Sequence, residues 1–558
     1  MATGEKIRIF ALGGLDEDGK NMYCVEIDNQ IYVIEAGFKY PDGKETLGIE
    51  YLIPDFSYLL ENKDRVAGVI ITHGHDDVMG ALPHLLKQLK TDVYTSPIVA
   101  RELKNTLDKD ILSGLRIHEV QRHDQKRIGK RKVIFFPVTH SYPQCFGIAI
   151  SSSQGYIVYS GEFIEDYDAL DDLYRGDFTT STQLRQEGVL VLMQDSKLAD
   201  VSGHTAPNHR VAGKLDNVLE KYADKRIIIA TYTQGVFRIQ EIINECMAFD
   251  RKIVVANQEC ANLLKDLYEL GYDYPKDTFY SPEQAAKKKI ENPVVLLTGQ
   301  GKAMFKTLSN ICNNEDETID FEPDDVIVIG CHVLPGAERE FKQMENDIYK
   351  QEGEIIMLDK NVSSMHPSQD DLKMMIFSMH PKYYIPVKGE YRKLIMNSEI
   401  ALQMNMKPSE IIILDNGQVA TFENKKLRSC SMELELHDTM IDGKENWDMA
   451  GVVLKDREIL STDGVMILAI GIDSKTKKII NGPDVQTRGL IYLKDAEYIS
   501  SDVAQIMEET INTAVENKTY DNLETRSEIR EKVSRYLFRQ IAKKPMILPV
   551  ILEINTSV

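Results

Sequence analysis

The sequence predicts an α/β protein built from more than one layered unit. Three observations lead there. An apolar run, Val69-Ile70-Ile71, breaks at a Gly-containing turn and enters a segment with Leu82, Leu85, Leu86 and Leu89 at helical spacing. Residues 207–358 alternate helix-like segments with apolar strands at Arg226–Ala230, Lys252–Val255, Val294–Leu297 and Val326–Ile329, the pattern of a parallel, doubly wound layer. Residues 451–558 repeat the alternation on a smaller scale.

In chain order, Ile7–Leu12, Met22–Ile27 and Ile31–Glu35 read as strands. The turn from Gly13 to Gly19 lacks the G-x-G-x-x-G dinucleotide fingerprint, and no crossover helix follows it. Val133–Val138 is a strand ending at Thr139-His140-Ser141, and Gly155–Ser160 runs into Gly161-Glu162-Phe163. Val189–Met193 leads to Gln194-Asp195-Ser196. Three strands of the middle layer end at small-residue turns, Thr231 to Gln234, Thr298 to Gly301 and Gly330 to His332, where open α/β sheets gather ligands. Strands Ile411–Leu414 and Gln418–Phe422 meet at Asp415-Asn416-Gly417, a strong turn signal. The charged stretch Glu423 to Trp447 reads as a linker. Beyond it, Val465–Ile472 and Leu490–Leu493 are strands, with one helix capped by Ser501 and another over Glu528–Arg539. Pro549 marks Met546–Ile554 as an edge strand.

The chain has 558 residues, enough for three or four domains at roughly 150 each. A net charge of −21 removes general basicity as an argument for nucleic-acid binding, so any RNA contact needs a locally positive channel on an acidic body. The seven cysteines are dispersed without a C-x-x-C pair, which reads as reduced thiols and a cytoplasmic setting. Met1 to Phe10 holds no signal-peptide core, and no run approaches the roughly 20 apolar residues of a membrane span.

The chemistry concentrates at Thr72-His73-Gly74-His75-Asp76-Asp77-Val78. His73, His75 and Asp77 alternate along one side of a turn at a strand end, and imidazole and carboxylate are ligands preferred by zinc and manganese. His140, at a later strand end, supplies a third imidazole. His204, His209 and His332 read as surface or core residues and receive no role.

This stretch resembles the His-x-His-x-Asp-His signature of metallo-β-lactamase-fold hydrolases, and departs from it at Val78, where those enzymes place a histidine for a second metal. The segment Ala11 to Met22 resembles the opening of ribonuclease J. Glu35-Ala36-Gly37 stands where that family has Asp-Ala-Gly, an acid supporting the His loop. Glu162 stands where an Asp bridges two metals, and Gln194-Asp195-Ser196 resembles Ser-Asp-Ser. The middle layer is similar to a β-CASP domain at Arg238-Ile239-Gln240 and Leu334 to Glu338. It differs at Gly299-Gln300-Gly301-Lys302-Ala303-Met304, which is one residue short of the family's phosphate-binding loop, and at Ala337, where the family has Asn. Val362-Ser363-Ser364-Met365-His366 resembles His-x-Ser-Gly-His with only its second His. Tyr383 to Arg392 follows the family's Ile-Pro-x-His-Gly-Glu-Tyr-Arg, with Lys388 in place of the metal-binding His.

The resemblance implies an αββα sandwich over residues 1–206 and 359–425, an inserted β-CASP domain over 207–358, a linker over 426–450 and a small α/β C-terminal domain over 451–558 that supports oligomers. It implies one metal position at His73, His75, His140 and Glu162. The second, from Asp77, Val78, Glu162 and Lys388, is degenerate, so at most one zinc or manganese ion is expected. An ammonium at Lys388, near Glu162 and Asp77, would replace the missing cation. Asp77 and His366 are the catalytic candidates; Val362, Ser363, Ser364, Met365, His366 and Arg238 are the candidates for RNA contact.

The substitutions resemble a second, degenerate paralogue of ribonuclease J in Gram-positive bacteria. That implies weak or lost hydrolysis and a role in RNA binding and assembly, with an intact first paralogue as partner, in mRNA turnover and rRNA maturation. A homo-dimer or tetramer is also compatible; DNA and membrane are not expected. The alternative is an active metal-dependent 5′-to-3′ exonuclease and endonuclease. A small-molecule lactamase is disfavoured, because it has no use for the insert or the C-terminal unit.

Overall fold

The computed structural model describes residues 5–41, 49–272, 274–275, 277–334, 336–358, 364–442, 445–447, 452–490 and 497–555. The chain divides into two compact units, Met1–Tyr40 with Tyr51–Thr439, and Pro41–Glu50 with Met440–Val558.

The first unit carries an αββα sandwich. One sheet has eight strands, in the order Lys426–Met432, Gln418–Glu423, Lys6–Gly13, Met22–Ile27, Gln30–Ile34, Val66–Ile71, Val93–Thr95 and Ile117–Glu119. The other has six, in the order Tyr383–Val387, Val189–Asp195, Gly155–Tyr159, Phe146–Ser152, Arg131–Pro137 and Gln125–Ile128. Ile9, Val25, Ile34 and Ile70 of the first share one core with Phe135, Ile148, Ile157, Val191 and Ile385 of the second. Strands such as Met22–Ile27 are buried along their whole length because both faces are covered, with the charged Glu26 paired to Arg8. Helices Phe178–Glu187, Gln369–Met379 and Tyr391–Gln403 cover the six-stranded sheet, and Pro97–Thr106 packs at the far edge of the other.

The inserted layer is a six-stranded sheet in the order Phe279–Tyr280, Ile253–Val255, Val294–Gly299, Ile227–Tyr232, Val326–Ile329 and Glu354–Met357. Every pairing in it is parallel. Its core includes Ile228, Ala230, Leu297, Phe305, Leu308 and Ile329. The insert leaves and re-enters the sandwich between the strands Val189–Asp195 and Tyr383–Val387, which pair in parallel.

The second unit has a three-stranded sheet in the order Ile479–Arg488, Val465–Asp473, Met546–Ile554. Met466, Leu468 and Ile470 meet Val503, Met507 and Ile511 of helix Glu497–Glu516 and Ile529, Val533 and Leu537 of helix Asn522–Ile541. Pro549 lies in the edge strand, as expected.

Some elements differ from the sequence reading. The expected linker from residue 426 begins with a strand: Lys426–Met432 pairs antiparallel with Gln418–Glu423 and extends the eight-stranded sheet. Its charged residues face water at a sheet edge, which hides the single inward residue, Leu427, packed on the core. A boundary at 425 therefore cuts a hairpin. Ile411–Leu414 is not a strand; only Ile411 bridges to Tyr384. Ser501 lies inside helix Glu497–Glu516 rather than capping it, while Asp521 caps the next helix through Leu523 N and Glu524 N. Most of the expected strand Leu490–Leu493 lies outside the described residues. Among the described residues no helix is long and apolar enough to cross a membrane.

Two outcomes follow from the packing. A Cβ on Gly37 would come 1.7 Å from the Asp77 carbonyl oxygen, a backbone atom that cannot swing aside. Gly37→Ala should lower stability by about 1–3 kcal/mol, read from the urea midpoint; an unchanged midpoint would show that the loop yields freely. Glu165 is buried, and burial first, then the charge of Asp371, pushes its carboxyl up to about 8. The folded chain then holds a proton that the unfolded chain has released, so stability falls between pH 5 and 8. Glu165→Gln should flatten that decline in a melting-temperature series across this range; an identical slope would contradict the assignment.

Candidate metal centre

The ends of strands from both sheets converge on one edge of the sandwich. His73 and His75 follow Val66–Ile71, His140 follows Arg131–Pro137, Glu162 follows Gly155–Tyr159, Asp195 closes Val189–Asp195 and Lys388 follows Tyr383–Val387. His366 precedes helix Gln369–Met379. Glu35 ends the strand Gln30–Ile34 with a left-handed φ of 65°. Its longer side chain still supports the His loop: the Thr72 hydroxyl donates to Oε1 at 2.6 Å and the Thr72 amide to Oε2 at 3.1 Å. Burial pushes the Glu35 carboxyl up to about 8 against the pull of these Thr72 donors.

Ligand atoms of His73, His75, His140 and Glu162 all lie within 4.8 Å of one another. Glu162 Oε2 is 3.5 Å from His73 Nε2, 4.0 Å from His75 Nδ1 and 3.2 Å from His140 Nε2. It is also 3.7 Å from His366 Nε2. The tautomers follow from the partners on the far side of three rings. His140 Nδ1 meets the Met365 carbonyl at 2.6 Å, His75 Nε2 the Gln234 carbonyl at 3.3 Å, and His366 Nδ1 an Asp195 carboxylate oxygen at 2.7 Å. Those oxygens accept, so each outer nitrogen carries the proton and each inner nitrogen keeps a lone pair. Burial, reinforced by the neighbouring imidazoles, holds His75 well below the ordinary histidine range, and burial lowers His140. Lone pairs thus converge on a carboxylate oxygen. His73 Nε2 and Glu162 Oε2 are buried with no hydrogen-bond partner, and the donor set fits one metal ion.

The other side of Glu162 is different. Lys388, fully buried, donates to Glu162 Oε1 and, at 2.7 Å, to Asp77 Oδ2. Asn21 Nδ2 adds bonds to the Asp77 carbonyl at 2.8 Å and to Oδ2 at 3.2 Å. Val78 is buried and offers no donor atom. Burial works against charge on all three groups, yet the pairing wins. The Asp77 and Glu162 carboxyls stand well below the ordinary carboxylate range, and the Lys388 ammonium stands well above the ordinary lysine range.

The remaining sequence candidates are spread out. Met365 is buried and serves His140 through its carbonyl. The Ser364 carbonyl accepts from the His366 amide at 2.9 Å. Arg238 is drawn away from the cluster, to Glu241 Oε2 at 2.6 Å and the His209 carbonyl at 2.8 Å. Val362 and Ser363 lie outside the described residues. Sequence reasoning missed the roles of Asp195, Gln234 and Asn21. Asp195 sat in a noted motif, but nothing in its spacing pointed to His366.

Residues 50–183 match the beta-lactamase superfamily domain, residues 224–348 the ribonuclease J beta-CASP domain and residues 452–554 the ribonuclease J C-terminal domain. A protein named ribonuclease J2 from Bacillus subtilis is 32% identical over 557 residues, 99% of each chain. One named ribonuclease J 2 from Staphylococcus aureus is 30% identical over 551 residues, 98% of each chain. A solved structure of a protein of unknown function from Enterococcus faecalis covers 75% of this chain and 100% of its own at a TM-score of 0.52 and 11% identity, a likeness of fold alone. The relatives bear the second-paralogue name that the departures at Val78 and Lys388 resembled. With domain descriptions and full-length relatives in agreement, the chain belongs to the ribonuclease J family of metallo-β-lactamase-fold, β-CASP-containing RNA hydrolases.

Proposed function

We propose that this chain serves RNA processing and decay chiefly by binding RNA and assembling with partners, and that its own hydrolysis is weak or lost. One observation carries this reading: the Lys388 ammonium lies between Asp77 and Glu162. A two-metal phosphodiesterase holds ions roughly 4 Å apart to clamp attacking and leaving oxygens. In this chain Val78 offers no ligand to a second ion. The two carboxylates that would bind it already neutralise a lysine, and that lysine stays charged at neutral pH and repels a further cation.

At the other position, His73, His75, His140 and Glu162 would hold one zinc or manganese ion. Such an ion, when bound, polarises a phosphoryl oxygen or acidifies a water. Without a second ion the clamp is incomplete, and one lost transition-state contact commonly costs about 10²–10³ in rate. His366, steadied by Asp195, turns Nε2 inward and is the residue placed to move a proton. Asp77 is assigned to anchoring Lys388. Ser363, Ser364 and the amides of residues 362–364 are the proposed RNA contacts; Met365 and Arg238 are assigned to holding the surrounding loops. The match of residues 452–554 to the family's C-terminal domain supports assembly, with an intact first paralogue or with further copies of this chain.

A second reading, an exonuclease running on one metal, is favoured by the inward lone pairs at His75, His140 and His366. A time course of 5′-monophosphorylated RNA with manganese separates the two. Equal, near-zero rates for the chain and its His73→Ala/His75→Ala variant are expected; turnover that disappears only in the variant would establish the exonuclease.

The ammonium itself can be tested. Lys388→Ala leaves the buried Glu162 carboxylate and the partly covered Asp77 carboxylate without their counter-charge, and should destabilise the fold by about 3–5 kcal/mol at neutral pH. A melting temperature equal to that of the parent would remove the lysine from its structural role.

A further inference from the structure

The ring of His75 is held in part by residues outside the loop that carries it. Its Nε2 lies 3.3 Å from the carbonyl of Gln234, just beyond the strand Ile227–Tyr232 of the inserted layer, and 3.1 Å from Ser141 Oγ. The insert grips both neighbours. The Phe237 amide donates to the Ser141 carbonyl at 2.9 Å, and the Gln234 side chain bonds Asp76, whose Oδ2 also accepts the Tyr40 hydroxyl at 3.0 Å. A second contact between the same domains lies further out. On helix Pro97–Thr106, Arg101 pairs with Glu269 and, at 3.6 Å, with Asp266 of helix Gln258–Glu269. Asn105 adds a bond to Asp266 at 3.3 Å. The next residue on that helix, Glu102, accepts the Tyr142 hydroxyl at 2.8 Å, and the Tyr142 ring leaves no room for a Cβ on Gly74 within the His loop.

We propose that the Gln234 carbonyl and the Ser141 hydroxyl are positioning groups for His75, so that docking of the insert sets the affinity of the His cluster for a divalent cation. A carbonyl only accepts. It selects the tautomer with hydrogen on Nε2 and keeps the Nδ1 lone pair inside the cluster, 3.4 Å from His140 Nε2. With the insert swung away, His75 loses that partner and keeps only the Ser141 hydroxyl, itself no longer steadied by the Phe237 amide. Outer partners of this kind commonly change metal affinity by about 10–100-fold. Coupling of this sort is reciprocal: a cation at the cluster favours the docked insert as much as docking favours the cation. The inference rests on the reading of the cluster as a metal site, and extends it by making the insert part of that site.

The test is equilibrium dialysis of the full chain against manganese alone. Gln234→Glu, which sets a carboxylate against Asp76, and Ser141→Ala should each bind the ion about tenfold more weakly. Ser141→Thr, which keeps the hydroxyl, should stay near the parent. Melting temperatures without metal should match the parent, separating lost positioning from lost folding. As a second readout, manganese should slow amide exchange across residues 231–240 in the parent and not in Gln234→Glu. If the parent binds manganese while both weakening variants stay within about twofold of it, the coupling is wrong and the cluster stands. If the parent binds no more manganese than His73→Ala/His75→Ala, the metal reading falls and this inference falls with it.

Discussion

A buried ammonium between two carboxylates holds the centre of this molecule together. Lys388 belongs to the strand-end turn after Tyr383–Val387, Glu162 to the turn after Gly155–Tyr159, and Asp77 to the one-turn helix Asp76–Met79 that follows Val66–Ile71 of the facing sheet. One cation therefore fastens the two sheets at the edge where their strands end. Lys388 and Glu162 are fully buried and Asp77 partly so; charges taken out of water are costly, and only close mutual neutralisation makes them tolerable. The backbone accommodates the arrangement too: Lys388 adopts φ 59° and Gly389 φ 127°, a left-handed pair that turns the side chain inward.

Glu162 stands at the middle of the edge where the strands end. Glu162 divides it, one oxygen toward Lys388 and the other toward four imidazoles. On one side the neutralising charge is covalently attached and cannot leave. On the other, three of the imidazoles place their N–H on outer acceptors and aim lone pairs inward, which leaves room for an exchangeable charge. That division makes a binding role and a residual hydrolytic role chemically compatible in one cleft.

Much of this was legible in the sequence. Apolar strands alternating with helix-like segments announced the parallel inserted layer, and the His73–His75 spacing with a later His140 announced the cluster. The pairing of Lys388 with Glu162 and Asp77 followed from its place in the motif it resembles together with its charge. The supporting contacts were not legible. Those to His140 and His75 come from backbone carbonyls, at Met365 and Gln234, and a carbonyl is present whatever the residue. Asp195 and His366 stand far apart in the chain, and only the sandwich brings them to 2.7 Å. The strand Lys426–Met432 was hidden because an exposed edge is written in charged residues, the same letters that spell a linker.

The place of the insert has a consequence for how the chain is made. Strand Lys6–Gly13 pairs with Gln418–Glu423, and Val189–Asp195 with Tyr383–Val387. Both partners emerge from the ribosome only after the whole inserted layer. Until then, strands already synthesised hold bare hydrogen-bonding edges and an unfilled core face, while the insert has all the strands of its own sheet and can close first. Biosynthesis therefore passes through a long-lived incomplete sandwich, with eleven of its fourteen strands made and three still to come. A nascent chain of this kind depends on holding that apolar face away from others for about the time needed to translate two hundred residues, at least ten seconds at 5–20 residues per second.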